Sequence, residues 1–295
     1  MVSLITVNYN ALDATCALLD SLKAHLHSCQ WEVIVVDNAS RQDEAASIRE
    51  RYPWAKVVRS EVNLGFAGGN NLALPLATGE YLYFVNNDTE VKTDCLNELC
   101  RALDANPKAG MVCPKVYFFD RPHTIQFAGY TDLDGFRMHN HMIGYGCPDD
   151  GSFDVPLTTA FPIGAAMMVK REALEDVGPM AECYFLYYEE RDWGAAFRRK
   201  GWDILYEPGS CIYHKDSLTT GRESPLSTFY MLRGRQIYAY RNFSGTTRIA
   251  AILFTRWLAV PKRAIKALLK GNTAVAAAAF RANRDFVKLV KSGQI

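Results

Sequence analysis

Two rhythms of apolar residues alternate along the first hundred positions. Short runs rich in Val, Ile, Tyr and Phe occur at 2–8 (VSLITVN), 32–37 (EVIVVD), 56–59 (KVVR) and 80–85 (EYLYFV), and they read as strands. Between them, 12–28, 42–52, 66–77 and 93–105 carry helical spacing. This order predicts an α/β fold with a mainly parallel sheet flanked by helices. Three of the strands end in polar residues: Asn8-Tyr9-Asn10, Asp37-Asn38-Ala39-Ser40 and Asn86-Asn87-Asp88. In a parallel sheet these ends line one edge, and ligands of open α/β sheets bind at that edge.

The middle of the chain is less regular. Residues 120–160 are rich in Gly, His, Asp, Tyr and Pro and read as long loops beside a site. AAMMVKREAL reads as a strand running into a helix. YFLYYEERDWGAAFRRKGW, at 184–202, reads as a strand or loop entering a helix that stops at Gly201. DILYEP and CIYH read as two short strands. From about 226 onward the pattern is helical and basic, which predicts a body over 1–225 and a tail over 226–295.

Charge sharpens that division. The formal net charge of the 295 residues is only +1. Residues 1–221 carry 19 Lys and Arg against 30 Asp and Glu, whereas 222–295 carry 14 against 2. A basic tail on an acidic body points to an anionic surface as partner. In TRWLAVPKRAIKALLKG, one helical stripe holds Arg256, Arg263, Lys266 and Lys270, and another holds Leu258, Ile265, Leu268 and Leu269. A second helix, from about 274 to 291, repeats the theme with Arg281, Arg284, Lys288 and Lys291. Such helices either pack their basic faces on the acidic body or lie in an anionic membrane interface. No recognition motif for nucleic acid accompanies the charge. The eight cysteines show no zinc spacing and read as reduced thiols. The start shows no secretory signal, and no apolar run is long enough to span a bilayer. These readings predict a cytoplasmic protein, peripheral on the inner face of the cell membrane.

Several residues carry candidate chemistry. Asp37, just past a buried strand, is either a turn residue or an acceptor for a nucleobase or ribose. NLGFAGGNN, at 63–71, is either a tight turn or a backbone loop that approaches a diphosphate at a helix N-terminus. Asp88, a lone carboxylate among amides, suits a hard divalent cation that also takes oxygens from a diphosphate. Glu189, Glu190 and Asp192 form either an acidic first helical turn or a general-base cluster behind aromatic residues that raise a carboxyl pKa. His214 is either a core or loop histidine or a ligand.

Taken in order, VNYN, VVDNAS, NLGFAGGNN, FVNND, FPIGAAMMVKREALEDVG, YYEERDW and the later histidine resemble inverting family 2 glycosyltransferases, closest to the bacterial rhamnosyltransferase-like branch. The resemblance covers roughly residues 1–220 and implies a GT-A fold, with a nucleotide-binding half joined to an acceptor-binding half. It implies that Asp88, last residue of a DxD-type motif whose first acid is here Asn86, binds Mg2+ or Mn2+ with the donor diphosphate. It implies His214 as a second metal ligand and Asp37 as the contact to the base. It implies that Asn63, Gly65 and Asn70 line the nucleotide, with Asn8, Asn10 and Asn87 in the same wall. The catalytic base falls on Glu190, where the family more often has Asp, with Glu189 and Asp192 as alternatives. The implied reaction is metal-dependent, inverting transfer of a sugar from a nucleotide-sugar donor, dTDP-rhamnose by resemblance, to a hydroxyl of a cell-envelope glycan or lipid-linked acceptor. A homodimer is a further expectation. Two other classes were weighed. A sugar-1-phosphate nucleotidyltransferase would show a GxGTRL-type loop where this chain has VNYNALD. A catalytically inactive nucleotide-sugar-binding module would not need Asp88, Glu190 and His214 together.

Overall fold

Val33, Ile34, Val35 and Val36 expose no surface, as a parallel strand covered on both faces requires. They belong to β2 (Trp31–Asn38) in a computed structural model that describes residues 1–215 and 224–295. The other strands are β1 (Val2–Asn8), β3 (Lys56–Ser60), β4 (Tyr81–Val85), β5 (Thr89–Glu90), β6 (Ala109–Phe118), β7 (Ile125–Phe127), β8 (Leu157–Thr158), β9 (Ala166–Lys170) and β10 (Asp203–His214). The helices of the body are α1 (Leu12–His25), α2 (Glu44–Arg51), α3 (Gly65–Ala73), α4 (Leu96–Ala105), α5 (Arg171–Val177) and α6 (Glu189–Arg199). The C-terminal part is α7 (Pro225–Asn242), α8 (Gly245–Phe254), α9 (Val260–Leu269) and α10 (Thr273–Lys291), with a π turn at Thr255–Ala259 between α8 and α9.

One sheet joins all the strands in the order β3-β2-β1-β4-β9-β6-β10-β5, with β7 on β6 and β8 on β10. The first four are parallel, and Asn8 stands beside Asp37 in register. Beyond β4 the sheet is mixed. β9 runs antiparallel to both β4 and β6, while β6 and β10 are parallel. The reversal at β9 matters for position. It sets Ala166 against Val85, so the turn before β9 meets the polar end of β4, and the Asn86 N–H donates to the Ala165 carbonyl at 2.9 Å.

Two sequence expectations change here. DILYEP and CIYH form one strand, β10, whose register on β6 shifts between Glu207 and Cys211. The slip falls at Pro208-Gly209, where proline cannot donate to the ladder. β6 itself was not expected. Local chemistry sets the helix starts: Asp43 accepts the Ala46 N–H at the start of α2, and Ser224 accepts the Ser227 N–H ahead of Pro225 in α7.

The helical part does not stand off the body. Ile237, Tyr238, Ala239, Ala251 and Phe286 are buried in the same core as the sheet. The ends of α9 and α10 form a small second core of Val260, Ala264, Ala267, Val275, Ala276 and Ala279. Among the described residues, no helix is long and apolar enough to cross a membrane.

Candidate active site

Asp88 and His214 are far apart in sequence, and β5 brings them together. It folds back on β10 so that Thr89 pairs with His214 and the Lys215 N–H donates to the Asp88 carbonyl at 2.9 Å. His214 Nε2 then lies 3.1 Å from Asp88 Oδ1. The other ring nitrogen, Nδ1, is 2.8 Å from Gln126 Oε1. A glutamine oxygen accepts, so Nδ1 donates to it and the ring is held with Nε2 toward the carboxylate. Asp88 Oδ1 is buried and takes no other hydrogen bond. An imidazole nitrogen and a carboxylate oxygen at this separation can share a cation. Neighbouring ligands of an octahedral ion, each about 2.1 Å from it, sit about 3 Å apart, so the pair fits a divalent ion. Among the described residues, no group of three or more His, Cys, Asp and Glu side chains is arranged for a metal. A two-residue site therefore suits an ion that also takes oxygens from a bound ligand.

His214 lines a cavity of about 350 Å³ whose wall also includes Asn86, Gln126, Gly164, Glu189 and Glu190. The two glutamates start α6, where the helix dipole favours negative charge. The chain reaches them through Phe185, Tyr187 and Tyr188, all with positive φ, at 67°, 64° and 78°. Such residues each cost about 1–3 kcal/mol and persist only when the surroundings hold them. Here both sides hold. The Phe66 N–H donates to the Phe185 carbonyl at 2.8 Å. Gly65, at φ +72°, allows that approach, since a Cβ there would come within 2.2 Å of the same oxygen. From the other side, Tyr230 of α7 stacks on Phe185 at 5.0 Å, and Gly234 packs on Tyr187 and Tyr188.

Burial, reinforced by the neighbouring Glu190, pushes the Glu189 carboxyl up to about 8, and its Oε2 has no donor. Glu190 is also raised by burial and pulled back in part by Arg191, whose Nε lies 3.7 Å from Glu190 Oε1. Arg191 is itself packed against the faces of Tyr130, Tyr188 and Phe161 and donates to Asn140 Oδ1 at 3.0 Å. Asp192 turns away from this cavity. It accepts from Tyr184 Oη at 3.0 Å, from Arg241 Nε at 3.2 Å and from Asn242. As an alternative base Asp192 is therefore set aside: its oxygens are occupied by α7.

Of the polar strand ends, Asn86 lines the cavity, and much of the capacity of the others is spent within the protein. The buried Asn8 amide donates to Asp37, Ser40 and Glu44 and accepts from Thr15. Asp37 is fully buried, with Arg59 3.4 Å from its second oxygen, so a base reaches it only if Arg59 moves. Asn10 Oδ1 accepts the Arg41 N–H, Asn70 bonds within α3 to Phe66, and Asn87 donates to Thr15. Asn63 accepts the Gly65 N–H, and Asn38 bridges Asn63, Leu64 and Gly65. Asn38 and Arg191 stand inside readable motifs, VVDNAS and YYEERDW, without a role of their own in the sequence reading. The residues that sequence reasoning missed are Gln126 and Tyr130. Gln126 and Tyr130 sit in a stretch with no local signal.

Known proteins bear on this geometry. The family described as Glycosyl transferase family 2 matches residues 3–178. An uncharacterised protein of Sinorhizobium fredii is 28% identical over 76% of this chain, a stretch that spans only 25% of that relative. The N-acetylglucosaminyl-diphospho-decaprenol L-rhamnosyltransferase of Mycobacterium tuberculosis is 24% identical over 65% of this chain and 68% of its own length. The crystal structure of GalNAc-T7 with UDP, GalNAc and Mn2+ superposes with a TM-score of 0.63 at 14% identity, over 86% of this chain and 53% of that one. The fold is that of the GT-A glycosyltransferases.

Proposed function

The chain belongs to glycosyl transferase family 2, and from that premise we propose that it transfers a sugar from a nucleotide-sugar donor to a hydroxyl of a cell-envelope glycan or lipid-linked acceptor, with inversion. Asp88 and His214 would hold Mg2+ or Mn2+ together with the donor diphosphate. The observation that carries this reading is the approach of His214 Nε2 to the buried Asp88 Oδ1, with His214 on the same cavity as two carboxyls of raised pKa. A divalent ion held by these two residues would supply stabilisation of the charge that grows on the leaving diphosphate.

The chain's own groups supply the rest. Gln126 fixes the His214 ring so that Nε2 faces Asp88. Glu190 accepts the proton of the acceptor hydroxyl, and its raised pKa makes it a stronger base than an ordinary glutamate. The hydroxyl oxygen attacks the anomeric carbon opposite the leaving group, so configuration inverts without a covalent sugar–enzyme intermediate. The wall from Asn8, Asn10, Asp37, Asn63, Gly65, Asn70 and Asn87 borders the nucleotide. Likeness to the N-acetylglucosaminyl-diphospho-decaprenol L-rhamnosyltransferase supports rhamnose as the sugar and a lipid-linked acceptor, to which we add dTDP as the nucleotide and the cytoplasmic face of a membrane as the place. The test is a panel of dTDP-, UDP- and GDP-sugars with and without Mn2+, reading nucleoside diphosphate release and the anomeric configuration of product by NMR. Metal-independent release, or retention, overturns the mechanism.

A further inference from the structure

α8, the π turn and α9 follow one another without a break, so Gly245 to Leu269 is one continuous helix. Its inner side is accounted for: Val260, Ala264 and Ala267 pack on Val275, Ala276 and Ala279 of α10. Its outer side is apolar and uncovered. Leu253, Trp257, Leu258, Ile265, Leu268 and Leu269 are exposed, Trp257 at 70% and Leu269 at 84%. Scattered exposed apolar residues need no explanation, but a contiguous set marks an interaction site.

The π turn makes the set contiguous. In an unbroken α-helix, at about 100° per residue, these six side chains would spread over roughly 160°. A π turn fits roughly one extra residue into the repeat and draws them within about 100°. By the same phase, Lys262 and Lys266 border the stripe on one side. The sequence holds no Asp or Glu anywhere from Ser224 to Arg284. Lys262, Lys266 and Lys270 are exposed.

We propose that this outer side is a docking surface for a lipid bilayer with anionic headgroups, the helix lying in the interface with its axis along the membrane plane. The charge selects the occupant. A second copy of the chain, placed symmetrically on the stripe, would bring two cationic rims with no acid between them into contact. Anionic headgroups complement that rim, lysine stems reach past an apolar stripe to them, and Trp257 sits at the level of the headgroups. The inference stands apart from the sugar-transfer reading, because its test needs neither donor nor turnover.

The full-length protein is floated with vesicles of neutral phosphatidylcholine alone, or with about a third phosphatidylglycerol, at low and high salt. Binding is expected to the anionic vesicles, weakened by salt. The triple change Lys262→Gln, Lys266→Gln and Lys270→Gln should lower affinity by roughly 10- to 100-fold, from about tenfold or less per cation near the surface. Trp257→Glu with Leu269→Glu should abolish binding. Circular dichroism and thermal unfolding of each variant establish that it is folded. Absence of wild-type binding, or equal binding by folded variants, overturns the proposal. So does a dimer in sedimentation equilibrium that Leu269→Glu dissolves, which would assign the stripe to a second copy.

Discussion

The two halves of the sheet hold their buried carboxylates with different partners. At the ends of β1 and β2, Asn8 makes four side-chain hydrogen bonds, and Asp37 Oδ2, which accepts none, has the Arg59 guanidinium 3.4 Å away. Across β4, where the sheet turns mixed, Asp88 Oδ1 has the His214 ring 3.1 Å away and Glu189 Oε2 is buried with no donor. An unmet buried polar atom costs roughly 1–3 kcal/mol, more if charged. The parallel half therefore sets its carboxylate against a permanent cation of the chain, and the mixed half sets one against an imidazole and leaves another unmet, a state that a ligand would relieve.

Changes in the mixed half should act on chemistry. Asp88→Ala is expected to remove metal-dependent nucleotide binding and to lower turnover by roughly 10³-fold, the scale of several kcal/mol of charge stabilisation. Calorimetry with nucleoside diphosphate and Mn2+ reads it; unchanged Mn2+ dependence would dissolve the contrast between the halves. Glu190→Gln should lower turnover by roughly 10²–10⁴-fold while donor affinity survives. Steady-state kinetics beside Glu189→Gln decides which carboxyl is the base, and the larger loss in Glu189→Gln would move the role by one residue.

In the parallel half, Asn8→Ala should cost about 1–3 kcal/mol of stability and raise the donor KM while the kcat of the folded fraction stays within a few-fold, seen by denaturant unfolding alongside an assay. The smallest effect concerns Glu189. Its carboxyl is raised from 4.5 to about 8 in the folded protein. Above the unfolded value the unfolded chain ionises while the folded one stays neutral, so stability falls as pH rises through the folded value. Glu189→Gln should match the wild type in Tm at pH 4 and exceed it by about a few degrees at pH 9. Equal Tm at both pH values would mean the buried carboxyl carries no strain.

The parallel half was legible because its strands are continuous apolar runs with helical spacing between them, and that alternation predicted a mainly parallel sheet. β6 was not, because Pro114 and Lys115 interrupt AGMVCPKVYF. Lys115 is nonetheless buried, paired with Asp149 and Asp154 from the loop region, and sequence cannot see a partner supplied from so far along the chain. The same limit holds at the site. Asp88, Glu190 and His214 stand in readable motifs. Gln126 matters only because β7 lies beside the end of β10, and Asp192 reads as a third candidate base until α7 is seen to occupy it.

That occupation says where the chain can be divided. The sequence places a boundary at 225, between body and tail. The Asp192 side chain is 4% exposed, and its cationic partner, Arg241, lies beyond that boundary. A chimera joined at 225 to the helical part of a relative would inherit a buried carboxylate without its cation, a loss of about 3–5 kcal/mol. It would also lose the fit of Gly234 against Tyr187 and Tyr188. A join at Ser244, after α7, keeps both but parts Arg233 of α7, 10% exposed, from Asp285 of α10 and removes Ala251 and Phe286 from the main core. In the traffic of domains between proteins, α7 to α10 travel with the body.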